Sequence, residues 1–186
     1  MSKNNFKFIK VDPNYINFLL KYDNKVSYNE ILLKKENRPF LGILLNINSK
    51  KYYAPLSSKK NKFIKLHKIY KRTNKNNIDL FFIEDKKGKL LSVLNLNNMI
   101  PIAVNSIIEF DIRKDRNANL LEKEIEFCNS YRNKKEIKKR AIKIYNIVRN
   151  HTNKNVEERC CNFKLLEEKC EEYEGKNIIN VWQYPQ

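Results

Sequence analysis

Hydrophobic residues follow two different rhythms along this chain. Up to about residue 112 they come in short runs bounded by turn formers; after Asp115 they recur every three or four positions. Phe6–Val11 alternates apolar and polar side chains, which predicts a half-buried strand. Asp12-Pro13 then reads as a helix cap with proline at the first helical position, and the helix runs to about Tyr22, burying Ile16, Leu19 and Leu20. Phe40–Leu45 and Tyr52–Leu56 flank the polar stretch Asn46–Lys51 and predict a hairpin. Pro55 falls near the end of its second strand, where a missing N–H is tolerated. Ile78–Ile83 and Leu90–Leu96, on either side of Glu84–Lys89, predict a second hairpin, and Ile102–Val104 and Ile107–Ile112 resume extended structure. That makes about six strands. Asp23–Asn37 reads as a loop, and Lys59–Lys75 fits either a strand with flexible ends or an ordered loop.

The later rhythm is helical. Leu121, Ile125 and Cys128 share one face of a helix over Leu120–Arg132. Ile137, Ala141, Ile144 and Val148 share one face of another over Lys135–Asn150. Val156–Tyr173 is a third helical region, interrupted near Cys160-Cys161-Asn162, with Asn162 capping the new helix and Gly175 stopping it. Strands first and helices after them give an α+β class. The 186 residues fit one domain, residues 1–174, with 175–186 as a C-terminal tail that Trp182 could dock.

Charge changes this picture by pointing to a partner. The formal net charge is +17. Residues 1–77 hold 18 Lys+Arg against 4 Asp+Glu, whereas residues 78–186 hold 20 against 17. Codon bias adds lysine everywhere but does not strip acids from one half, so a polyanion, nucleic acid above all, is the natural partner. A membrane surface fits less well, because no basic amphipathic helix lies in the basic half. The polar start Met1–Asn5 lacks a secretory apolar core, and the longest clean apolar run, Phe40–Leu45, is too short to span a bilayer; a cytoplasmic protein is expected. Cys128, Cys160, Cys161 and Cys170 show no paired C-x-x-C spacing and read as reduced structural thiols. With 3 glycines and no phosphate-cradling loop, nucleotide-driven motors and dinucleotide enzymes are excluded.

Few carboxylates lie in the basic half, which argues against a nuclease built on two metal ions. RNA carries its own nucleophile, the 2′-hydroxyl. A protein need only align it, remove its proton and offset the charge that grows on phosphorus. Ser57, Ser58 and Lys60, leaving the end of a predicted strand, have the right groups: hydroxyls that donate to a non-bridging oxygen, and an ammonium that binds charge or protonates the leaving 5′-oxygen. The same four residues Ser57–Lys60 also suit an ordinary surface turn. Lys34, Lys35 and Arg38 precede the central strand, and Lys59 and Lys62 follow it, placed to hold phosphates. Phe63 and Tyr70 are interleaved with lysines as bases would require. Tyr15 fits either the sheet or the site. His67, without a neighbouring His or carboxylate in sequence, reads as a surface contact, and His151 as a helix-end residue.

The segments RPFLGILLNINSKKYYAPLSSKK (38–60), FKFIKVDPNYINFLLKYDNKV (6–26) and CNFKLLEEK (161–169) resemble the ToxN/AbiQ family of endoribonuclease toxins from type III toxin–antitoxin systems. The likeness runs from about Phe6 to Tyr173, and the Y-x-A-P-L-S/T-S-x-K phrase at Tyr52–Lys60 is its most specific part. It implies a strongly twisted antiparallel sheet flanked by helices, with a barrel-like core. It also implies a metal-independent, sequence-selective endoribonuclease that leaves 2′,3′-cyclic phosphate and 5′-hydroxyl ends, uses no cofactor, and acts in phage abortive infection or plasmid maintenance. The implied partners are cellular or phage mRNA as substrate and a small repeat RNA, folded as a pseudoknot, which the toxin trims and which closes with it into a ring. The implied catalytic cluster maps onto Tyr15, Ser57, Ser58 and Lys60, and the implied RNA contacts onto Arg38 and Phe40. Lys59 stands where the family often has proline. Arg38 stands where lysine is common; arginine cannot give up a proton, so its implied role is to clamp phosphate. A non-catalytic RNA-binding protein explains the charge equally well but gives no reason for the Ser-Ser-x-Lys turn, and no helix-turn-helix signature supports a DNA-binding protein.

Overall fold

Local turn chemistry decides where the chain reverses. The computed structural model describes residues 5–26, 39–75 and 77–182. Strands β2 (Phe40–Ile47) and β3 (Lys50–Ser58) pair with Ile47 opposite Lys50. The two residues between them, Asn48 and Ser49, have φ of 47° and 64°, the positive values that a two-residue hairpin turn needs to match strand twist. In the second hairpin, β4 (Leu80–Glu84) and β5 (Leu90–Asn95), the Asp85 carboxylate accepts the amides of Lys87 and Lys89, and Gly88 supplies the left-handed residue at φ 74°.

Among the described residues, seven antiparallel strands make one sheet in the order β4-β5-β3-β2-β1-β7, with β1 at Lys7–Val11 and β7 at Ile107–Ile108. The short β6 (Ile100–Pro101) joins β3 off this path. The path is open: β4 and β7 end it, so the barrel-like core expected from the sequence is an open sheet. β3 is its hub. It pairs along one side with β2, and along the other first with β6 at Tyr52–Tyr53 and then with β5 at Leu56–Ser58. Gly42 of β2 lies under the Tyr53 ring, which occupies the place a Cβ would take.

Helix α1 (Pro13–Leu20) starts as the sequence predicts, with Asp12 accepting the Asn14 amide and Pro13 at the first position. Helices α3 (Ala118–Asn129) and α4 (Tyr131–Arg149) bury the predicted stripes, including Leu121, Cys128, Ile137, Ala141, Ile144 and Val148. After the short α5 (Lys154–Glu157), Asn162 accepts the Leu165 amide and opens α6 (Phe163–Trp182). α6 runs through Gly175, where the sequence places a stop; a helical glycine weakens a helix without ending it. Below the sheet, Tyr52 and Tyr145 both donate to one Glu167 oxygen, at 2.7 and 2.8 Å, tying β3 to α4 and α6. All four cysteines are free and buried. Among the described residues, no helix is long and apolar enough to cross a membrane.

Candidate active site

Ser57 and Ser58 end β3, and Lys59 and Lys60 lead directly into a helix, α2 (Asn61–Thr73). This helix is the largest departure from the sequence pattern, which fits a strand or an ordered loop over Lys59–Lys75. Its logic is amphipathic. Phe63, His67 and Tyr70 recur at four and three residues on the inner face, and Lys62, Lys65, Lys68 and Arg72 at three, three and four on the outer one. Phe63 is buried with Leu80, Phe82, Leu90 and Val93 in a small core of its own. Asn74, at φ 54°, ends the helix in a left-handed cap.

His67 is the buried anchor of that face rather than a surface contact. Its Nε2 lies 2.8 Å from Glu84 Oε1, and its ring meets Phe82 edge-on at 5.2 Å. Lys71 donates to the other Glu84 oxygen at 2.8 Å. The carboxylate partner stands 17 positions away on β4, out of reach of sequence-local reasoning.

At the junction itself, the Lys60 amide donates to the Ser58 carbonyl at 2.8 Å, and the Lys60 carbonyl accepts the amides of Phe63 and Ile64. Lys60 is the capping residue of α2, and its side chain makes no capping bond. No acidic residue lies in the first turn, so the partial positive charge of the helix start adds to the lysines. Ser58, Lys59, Lys60 and Lys62 are exposed, and Lys62 lies 4.8 Å above the Phe63 ring. Ser57 is half-buried; its hydroxyl accepts the Asn95 side-chain amide at 2.6 Å. The structure therefore brings together Ser57, Ser58, Lys59, Lys60 and Lys62.

It does not bring Tyr15 or Phe40 to them. Tyr15 is completely buried, its hydroxyl donates to the Pro101 carbonyl at 2.8 Å, and its ring packs edge-on to Tyr173 at 4.8 Å. Burial pushes its phenol far above the ordinary range. Pro101 pairs with Tyr52, so Tyr15 sits at the far end of β3, roughly 20 Å along the strand from Ser58. Phe40 is 2% exposed, opposite Pro55 and Ile9, and its ring belongs to the main core, closed to a stacking base. Lys34, Lys35 and Arg38 lie outside the described residues.

The basic surface reaches further than the sequence reading placed it. A groove of about 790 Å³ runs from Tyr70 and Phe82 to the start of α4, where Tyr131 is 82% exposed beside Arg132, Lys135 and Lys139. The apolar stripe of α4 marks only its buried face in the sequence. Its opposite face was readable as a run of cations.

Comparison with known proteins gives this surface its context. Residues 7–171 match the family model described as toxin ToxN of type III toxin–antitoxin systems. The chain belongs to the ToxN family. It is 31% identical to the endoribonuclease ToxN of Bacillus thuringiensis subsp. kurstaki over 186 residues, covering 95% of this chain and 88% of the relative. A solved structure concerned with selective toxin inhibition by a non-coding RNA pseudoknot superposes with a TM-score of 0.76 at 30% identity, covering 91% of this chain and 98% of that one. Another, concerned with a processed non-coding RNA that regulates a bacterial antiviral system, gives 0.74 at 26% identity, covering 89% and 98%. The ToxN match spans the junction of β3 with α2, so Ser58 and Lys60 lie inside it.

Proposed function

We propose that this chain is a sequence-selective endoribonuclease toxin that cleaves RNA through the 2′-hydroxyl of its substrate. It is restrained by a small repeat RNA of the same system, folded as a pseudoknot, which it trims from a precursor and with which it closes into an assembly. It acts in the bacterial cytoplasm on cellular or phage mRNA, in phage defence or plasmid maintenance. The observation that carries this reading is the β3–α2 junction: a rigid strand end presents Ser58, and the next ordered element begins at Lys60 with a further row of exposed lysines.

The chemistry follows from those groups. The outer lysines of α2 hold backbone phosphates and bring one of them to the strand end. Ser58 donates a hydrogen bond to a non-bridging oxygen of the scissile phosphate, and Lys60 meets the charge that develops as the 2′-oxygen attacks. As the 2′-hydroxyl gives up its proton to solvent, attack closes a 2′,3′-cyclic phosphate, breaks the P–O5′ bond and releases a 5′-hydroxyl when that oxygen takes a proton in return. Ser57, on the α2 side of the strand end with its oxygen already filled by Asn95, offers a second hydroxyl hydrogen to the phosphate. Tyr15 and Phe40 support the fold from the core and take no part in these steps. Because the nucleophile belongs to RNA, no metal is required.

Purified protein incubated with total bacterial RNA in EDTA should generate new 5′-hydroxyl and 2′,3′-cyclic phosphate ends at a recurring short sequence. RNA that stays intact in EDTA and is cut only after Mg²⁺ is added would sink the metal-free reading.

A further inference from the structure

Strand β5 meets both site hydroxyls from across the ladder. Leu56, Ser57 and Ser58 stand opposite Leu94, Val93 and Ser92. Side chains alternate along a strand, so Ser57 shares its face with Val93 and Asn95, and Ser58 shares the opposite face with Ser92. The first pairing is made: Asn95, 6% exposed, donates to Ser57 Oγ at 2.6 Å. The second is in register but unmade. Ser92 is 0% exposed, and its hydroxyl finds no hydrogen-bond partner among the described residues. A buried hydroxyl without a partner is rare and costs stability, so this one calls for an explanation beyond packing.

We propose that Ser92 and Asn95 are positioning residues for Ser58 and Ser57. The inference rests on the assignment of the site to the end of β3. Asn95 fills a lone pair of Ser57 Oγ, which leaves the Ser57 hydrogen free to point away from β5. Ser92 does the same for Ser58 when RNA is bound. Directly opposed Cβ atoms in such a ladder lie about 5 Å apart, so a hydroxyl-to-hydroxyl bond needs only side-chain rotation. With Ser92 donating to Ser58 Oγ, the Ser58 hydrogen is aimed outward at the phosphate. Fully buried, Ser92 touches no RNA itself and acts only through Ser58.

The test uses purified full-length Ser92→Ala, Asn95→Ala, Ser58→Ala and the Ser58→Ala/Ser92→Ala double variant. Enzyme in excess cuts total bacterial RNA, with 5′-hydroxyl ends followed over time and RNA affinity and thermal midpoint measured beside them. Ser92→Ala removes an unpartnered hydroxyl, so its midpoint should hold or rise. Its RNA affinity should stay at the wild-type value while cleavage slows about tenfold to a hundredfold. In the Ser58→Ala background, loss of Ser92 should change nothing further. Asn95→Ala should also slow cleavage without weakening binding. Slow cleavage by Ser58→Ala together with wild-type cleavage by Ser92→Ala overturns this inference and leaves the site assignment standing. An equal slowing by Ser92→Ala with and without Ser58 makes Ser92 a structural residue and overturns it too. Wild-type cleavage by Ser58→Ala overturns the site assignment, and this inference with it.

Discussion

Truncating Ser58 or Lys60 should separate catalysis from folding. Both side chains are exposed, one at the end of β3 and the other at the cap of α2, and the Lys60 ammonium makes no capping bond that alanine would remove. The junction is held instead by main chain: the Lys60 amide on the Ser58 carbonyl, and the first α2 amides on the Lys60 carbonyl. None of these is lost on substitution, so Ser58→Ala and Lys60→Ala should each shift stability by no more than about 0.5 kcal/mol. A donor aimed at charge that appears only in the transition state is worth roughly 2.7–4 kcal/mol, about 10²–10³ in rate. RNA affinity, spread over many lysines, should change little by comparison. The assay is single-turnover cleavage under enzyme excess, with thermal midpoint and RNA affinity on the same preparations, and growth arrest on expression as the cellular counterpart. Near-wild-type cleavage by both variants would show that the site lies elsewhere. Loss of activity that tracks a falling midpoint would show that the junction is merely structural.

RNA binding should weaken steeply with salt, and Lys59→Ala and Lys62→Ala should each flatten the dependence of log affinity on log salt by about 0.7 for a single-stranded ligand; a slope unchanged by either would remove that lysine from the phosphate path. Stability should fall as pH rises above about 10, because burial and the bond to Glu167 push the Tyr145 phenol up to about 12 and also raise Tyr52. The folded state then keeps protons that the unfolded chain has released, and the four buried thiols do the same from about pH 8.5, so denaturation midpoints should hold to about pH 8, decline above it and drop further between about pH 10 and 12; no further drop there would contradict the paired tyrosines. Burial pushes the Cys170 thiol up to about 11 and the Cys160 thiol up to about 12, and it raises Cys128 and Cys161 as well. The native protein should therefore resist a thiol-specific reagent at pH 8 and show 4 reactive thiols only after denaturation; rapid labelling of the folded protein would refute the burial.

What the sequence made legible follows from how local each signal is. The two hairpins were readable because Asn48-Ser49 and Asp85–Gly88 carry their turn chemistry within a few residues. The stripes of α3 and α4 were readable because apolar residues mark a helical face even among lysines. α2 was missed because the buried positions of its inner face are a phenylalanine and a histidine, with Ile64 and Leu66 only partly buried beside them, and because the partner that makes His67 a core residue lies on another strand. Ser58 and Lys60 could be proposed from their place at a strand end. The fates of Tyr15 and Phe40 could not, since the same residue types serve a core and a site, and only the pairing of β6 with β3 shows on which end of the hub Tyr15 lies.

The proposed site therefore depends on two cores that meet at one strand. Leu56 and Leu94 belong to the main core, which fixes the β3 end that carries Ser58. Phe63 and Val93 belong to the small core, which fixes the helix that begins after Lys60. Val93 and Leu94 are neighbours on β5, facing opposite sides of the sheet, so this strand sets how far the hydroxyl stands from the ammonium. His67 and Lys71 hold α2 to Glu84 at the end of β4, the strand paired with β5. A change in the small core, far from any phosphate, should thus move Lys60 relative to Ser58 without moving Ser58 relative to the sheet. In the proposed mechanism such a change would reach the rate of cleavage before it reached the affinity for RNA, because many lysines would hold phosphates and few groups would meet the reacting oxygen.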